Sequence, residues 1–275
     1  DMGNPRGMFN ESFMYRAAAS ANDLSARIKR YSEKVQTAAK SIEGMDLSKP
    51  LPNLLKKVSD GLPVNMTVEN ALRIITDMGN ESNKGKFTKG WGVNPDVLAA
   101  WLKANTTKEM WDFAQGLGDV HEEMFGELKD MIHSISGVTP DRVPLAPFTD
   151  PHGVERRGWY SPMIYDQVEM GTSRKLAGLP QIDPNELTGL MDTGYFKSTT
   201  ATGAEIQRTG YAAPTDLTLS RLPQKMTQIL YDTAFRPFVI NFGKVMRDQG
   251  FQNAITKHSG IEVQKLMGDW LRDII

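Results

Sequence analysis

The spacing of apolar residues between Met14 and Ile42 constrains this chain more than any other feature. Met14, Ala17, Ala21, Leu24, Ile28, Tyr31, Val35, Ala38 and Ile42 alternate steps of three and four. That is the a/d pattern of a heptad repeat. Ser, Asn, Asp, Arg, Lys and Glu fill most positions between them. The helix would be roughly 45 Å long at 1.5 Å per residue, with Gly44 as its stop. Two readings fit. One is an ordinary long helix laid on a bundle. The other is a seam offered to a partner, with Leu24, Ile28, Tyr31 and Val35 as its contacts. The three alanines of the seam would pack closely but weakly, which favours the first.

A chain of 275 residues has length for one or two domains and a sizeable core. Its 32 Lys+Arg against 33 Asp+Glu give a net charge of −1. That balance argues against a dedicated nucleic-acid binder, although a local basic patch stays open. The absence of cysteine removes disulfides, thiolate metal sites and cysteine nucleophiles. The opening Asp1-Met2-Gly3-Asn4-Pro5 lacks an initiator methionine, as expected of a piece of a longer polypeptide or a processed product. No apolar run near the start reads as a signal peptide, and none approaches the ~18 residues of a membrane span. The sequons at Asn10, Asn65, Asn80 and Asn105 read as chance.

Punctuation divides the chain into a heptad helix (1–45), a linker (46–65), a helical region (66–137), a proline- and glycine-rich region (138–215) and a C-terminal helical region (216–275). Gly61, Pro50, Pro52 and Pro63 mark the linker, with room for a short helix at Asn53–Ser59. A helix starts near Thr67 and stops at Gly79. Residues 83–92 read as a glycine-lysine loop, and Asn94-Pro95 opens the next helix. Thr106-x-x-Glu109 and Ser259-x-x-Glu262 are capping-box signatures. The first heads a long helix to Gly137, in which Gly116 and Gly118 signal a kink or a close helix contact. Prolines forbid long helices over 138–180, and Val154–Tyr165 could hold short β structure. A short helix is expected from Asp183-Pro184 to Met191, then a loop over 193–214. Apolar stripes follow at Leu222–Leu230, after Pro237, and from Val263 through Trp270 to Ile274. The expected fold is mainly α: a multi-helix, bundle-like module with an irregular proline-rich insert and room for a short β element.

Chemistry-bearing motifs fail on inspection. Gly79 to Gly85-Lys86 has five residues between its glycines and Phe87 after the lysine, where a phosphate loop needs four and Ser or Thr. His121-Glu122-Glu123-Met124-Phe125 lacks the second histidine of a zinc helix. Asp192-Thr193-Gly194 matches the aspartic-protease tripeptide in a helical context. Ser161 has no nucleophile elbow, and nothing pairs Asp232 or Asp248 with a second carboxylate. No catalytic, cofactor-binding or metal-binding residue is assigned, and no cofactor is expected. Lys84, Lys86 and Lys89, with Arg156 and Arg157 beside Trp159-Tyr160, are the candidate contacts to nucleic acid. A solvated turn and core aromatics account for the same residues.

Four stretches carry a resemblance. They are Asn70–Asn80 with the glycine loop; Gly137–Val143 leading through Pro147-Phe148 to Gly158–Asp166; Leu217–Pro223 continued by Ile229–Arg236; and Leu266–Ile275. In this order, from residue 66 to the end, the chain resembles the very large polyvalent proteins of tailed bacteriophages and prophages, including the internal virion (ejection) type. Residues 1–65 do not join it. The family commonly has histidine where Tyr231 stands, before Asp232, and often proline where Asp269 stands, before Trp270. The first departure removes a histidine that would have invited a catalytic role. The resemblance implies a helical, non-enzymatic segment of a protein packaged inside the capsid and delivered with the genome into the bacterial host. Its partners would be other segments or copies of the parent virion protein, through the heptad seam and the Trp270 face. The rival reading is a nucleic-acid-handling module of an intracellular phage or prophage protein, with DNA as a candidate partner.

Overall fold

The computed structural model describes residues 10–140, 143–166, 168–169 and 213–274. Among these the fold is mainly helical, with one two-stranded sheet. A π-helical turn at Asn10–Met14 leads into α1 (Tyr15–Ala39), and a 3-10 turn at Lys40–Ile42 ends it before Gly44 at φ 77°. Then come α2 (Val68–Asp77), α3 (Glu81–Trp91), α4 (Pro95–Asn105) and α5 (Lys108–Ser136). Strands β1 (Phe148–Thr149) and β2 (Glu155–Arg156) pair antiparallel. Helices α6 (Arg221–Met246), α7 (Gln249–Ser259) and α8 (Ile261–Ile274) close the chain. None of the described helices is long and apolar enough to cross a membrane.

Part of the heptad seam packs inside the chain, while Met14 and Ala21 stay exposed. Tyr31 is 2% exposed, in a cluster with Val120, Met124, Phe125 and Leu128 of α5 and Met226, Ile229 and Leu230 of α6. Leu24 and Val35 pack against the same cluster, and Ile28 stays 36% exposed. Tyr31 is therefore covered by its own chain and is not a free partner contact. Helix α1 runs antiparallel to α5: Ala38 meets Gly116, Lys34 pairs with Glu123, and Arg27 and Arg30 both pair with Glu127. It is antiparallel to α6 as well, since Phe13 packs on Phe238 and Phe242 beyond its other end.

Helix α2 lies at the centre, with every residue from Ala71 to Asn80 buried. Thr67 and Asn70 form its capping box. The supposed linker is a strap over this core. Leu55 and Met66 are buried, and Leu47, Leu51 and Leu54 pack beside them. No helix forms at 53–59. The segment instead folds back at Gly61 (φ 71°), with the Lys57 N–H donating to the Leu62 carbonyl and the Val64 N–H to the Leu55 carbonyl, each at 2.9 Å.

Residues 83–92 also depart from expectation, because most of them belong to α3. The Asn80 side chain caps it, accepting from the Asn83 N–H at 2.9 Å. Phe87 and Trp91, one turn apart, enter the core. Gly90 is a contact rather than a turn: a Cβ there would lie 2.1 Å from the Ala213 carbonyl oxygen. Both later capping boxes are displaced. Thr106 ends α4, its hydroxyl donating to the Leu102 carbonyl and accepting from the Trp111 indole, and Ser259 is the last residue of α7. Short β structure was expected at Val154–Tyr165; β2 falls there, its partner β1 lies just before it, and Tyr165 bridges to Thr215 beyond the pair. The helix expected at 183–191 and all but the last two residues of the loop expected at 193–214 lie outside the described residues. Helix α6 runs unbroken through Pro237, where two separate stripes were expected.

Candidate interaction groove

The described residues nominated for chemistry are buried or paired within the chain. His121 is buried on α5, and burial, reinforced by the Arg73 guanidinium, lowers its pKa to about 4. Arg73 itself is 1% exposed and donates to Thr76 and to Asp77, both at 2.7 Å. Burial raises the Asp77 carboxyl despite that pairing. Ser161 is buried with its hydroxyl unpartnered, and its carbonyl accepts from the Asn83 amide at 2.7 Å. Asp232 is buried and paired with Arg236 on the same helix. Asp248 caps α7, accepting from the Phe251 N–H at 2.8 Å. Asp192-Thr193-Gly194 lies outside the described residues. Among the described residues no group of three or more His, Asp or Glu could hold a metal ion.

The candidate nucleic-acid contacts do not form one set. Arg156 is buried, with its Nε on Asp150 at 2.8 Å and its Nη1 on Asp112 at 2.6 Å. Burial pushes the Asp150 carboxyl up, but the Val154 N–H, Arg156 and the His152 N–H outweigh it and hold it below the usual carboxylate range. The neighbouring Arg157 is exposed and pairs with Asp119 at 2.7 Å. Both arginines are thus spent on carboxylates of their own chain, Arg156 on Asp112 and Asp150 and Arg157 on Asp119. Trp159 and Tyr160 are buried rather than offered for stacking. On α3, Lys84 pairs with Glu81 at 3.3 Å, Lys86 is half-buried and Lys89 is exposed.

An open groove does exist elsewhere, between α1 and α6. It holds about 560 Å³ and is lined by Arg16, Ala19 and Ser20 of α1 and by Pro237, Phe238, Asn241, Phe242, Lys244 and Val245 of α6. Its position follows from helix lengths. The α1–α5 contacts pair residue 38 with 116, 34 with 123 and 27 with 127. Extending that antiparallel register places Arg16 opposite the chain beyond Ser136, where α5 has ended at Gly137 (φ 70°). Helices α1 and α6 continue past that point, so among the described residues no helix takes the place that α5 fills lower down.

The groove walls are the same helix faces that α5 covers lower down. On α1, Arg16, Ser20, Arg27 and Lys34 recur at steps of four and seven, one stripe of a helix. On α6, Met226, Leu230, Pro237, Asn241 and Lys244 form a matching stripe. Arg16 and Lys244 pair with no carboxylate among the described residues. Neither was singled out in the sequence. The cationic row at 16, 27, 30 and 34, beside the apolar seam, is the sequence signal for the groove. The side chain of Trp270, the other nominated partner contact, lies outside the described residues. Compared with protein-family models, with curated proteins and with solved structures, the chain matches none.

Proposed function

We propose that this chain is a non-enzymatic, helical structural and interaction module of a large polyvalent phage protein, of the internal virion type delivered with the genome into the host. One observation carries the proposal. Three stretches on which the resemblance rests meet at the C-terminal end of α2 and along its side. The Trp159 N–H donates to the Gly79 carbonyl and its indole to the Thr76 carbonyl, each at 2.9 Å. The Asn80 amide donates to the Trp159 carbonyl, and the Asn70 amide to the Leu217 carbonyl, each at 3.1 Å. The Leu219 N–H returns to Glu69 at 3.0 Å. Residues with these tethers act by fixing a scaffold, and from that scaffold α1 and α6 project with a groove between them.

Mapping peptides of this segment by mass spectrometry, in purified virions and separately in infected-cell lysate, tests the reading. Low-copy peptides in virions, contiguous with flanking sequence, are the expected result. Peptides in lysate alone would overturn it in favour of an intracellular DNA-handling module. That rival would then need DNA retention that falls steeply with salt and is lost when Lys84, Lys86 and Lys89 are all changed to Gln.

A further inference from the structure

We infer that the α1–α6 groove is the seat of an acidic amphipathic helix of a partner protein, one that continues the line of α5. The inference rests on reading the chain as an interaction module and names the chemistry of its partner.

The shape argues for a helix. Below the groove, the same two faces already hold one, since Tyr31 of α1 and Ile229 and Leu230 of α6 close around α5. Two helices that seat a third along part of their length present the same rows of ridges further on. The groove offers exposed apolar surface at Ala19 and Val245, above a floor closed by the buried Phe238 and Phe242. The charge argues for acid. Where α5 is present, the cations of this α1 stripe meet Glu123 and Glu127. Where α5 is gone, Arg16 continues the row and Lys244 faces it from α6. A helix with Glu beside its apolar stripe would repeat for Arg16 and Lys244 what α5 does for Arg27, Arg30 and Lys34.

The test uses the full chain and two synthetic helical peptides of about three heptads. Both carry Leu at the a and d positions. One has Glu at the flanking positions, the other Lys. Each bears a dye, and binding is read by fluorescence anisotropy. The acidic peptide should bind about ten-fold more tightly than the basic one, as two partly screened charge pairs allow. Adding salt should narrow the gap. The Arg16→Glu, Lys244→Glu double variant should reverse the preference, while Lys257→Glu on exposed α7 should leave it unchanged.

Equal binding of the two peptides, or a preference that survives the double reversal, would overturn the assignment. If the unliganded chain sediments as a dimer that the double variant dissolves, the seat belongs to a second copy and a foreign helix is excluded. Capture by phosphatidylglycerol vesicles, lost on the same reversal while neither peptide binds, would give the groove to a lipid surface and overturn it too. Virion mapping is independent of all these outcomes, so the inference and the functional reading fail separately.

Discussion

The backbone of Gly118 on α5 lies against Trp159 so closely that a Cβ on the glycine would stand 2.2 Å from the Cβ of the tryptophan. Gly79, at the end of α2, closes the other side, and a Cβ there would stand 2.3 Å from the indole. The two glycines make the slot in which the proline-rich segment is anchored. Gly118→Ala should destabilise the chain by about 2 kcal/mol or more, since a packed core resists added volume. Gly126→Ala, on the same helix with nothing within 4 Å, should stabilise it by about 0.5–1 kcal/mol. Urea unfolding of both variants checks this. Equal and opposite-to-expected shifts would mean that the indole does not occupy the slot.

Arg73 and Asp77 form an ion pair that is 1% exposed at both side chains, on consecutive turns of α2. Arg73 Nε and Asp77 Oδ2 have no hydrogen-bond partner. A pair so buried is costly to break and cheap to replace. Asp77→Leu alone should cost about 3–5 kcal/mol, because it strands the guanidinium. Adding Arg73→Met to that variant should recover most of the loss. A double variant as unstable as the single one would show that the pair is itself a net source of stability.

Burial holds His121 neutral, with a pKa of about 4 against an ordinary 6.5. The unfolded chain therefore binds a proton that the folded chain refuses between those two values. Stability from this group is complete above pH 6.5 and falls as the pH drops toward 4. Asp77, whose carboxyl is raised, works in the opposite sense, since the fold favours its proton. Comparing wild type with His121→Leu isolates the histidine. Unfolding free energies at pH 7.5 and 4.5 should diverge more for wild type than for the variant. The same pH slope in both would place the titrating group elsewhere.

Much of the architecture was legible because periodicity reports which face of a helix is buried. The heptad at Met14–Ile42 located α1, and the long helix read up to Gly137 located α5. Periodicity does not say what covers a face, so the seam of α1 read equally well as an interface and as a core. Gly85 and Gly90 looked like a loop because glycine signals turns. In α3 the Asn80 cap and the core side chains Phe87 and Trp91 outweigh them, and Gly90 serves a contact with Ala213, far away in sequence. The displaced capping box has a similar cause. Thr106 is claimed by the Trp111 indole at 3.0 Å and by His152 at 3.2 Å, neither of which a four-residue signature can register. The groove was the least legible feature. It exists because α5 stops one or two turns before the helices beside it, and that depends on how three distant segments align.

Glu127 is the acid on which two α1 cations converge, Arg27 and Arg30, while Glu123 meets Lys34 alone at 2.5 Å with both side chains over 40% exposed. Isolated exposed pairs contribute little, because water and salt screen them and two long side chains must be ordered. Glu123→Gln should therefore cost no more than about 0.5 kcal/mol. Glu127→Gln removes the shared partner of two guanidiniums at 27% exposure and should cost about 1 kcal/mol or more. Double-mutant cycles separate these terms. The coupling of Arg30 with Glu127 should exceed that of Lys34 with Glu123 and should shrink in high salt. If the two couplings are equal and vanishing, the cations of α1 do not select acidic neighbours even where α5 supplies them. The charge argument for the partner of Arg16 would then fail at its source.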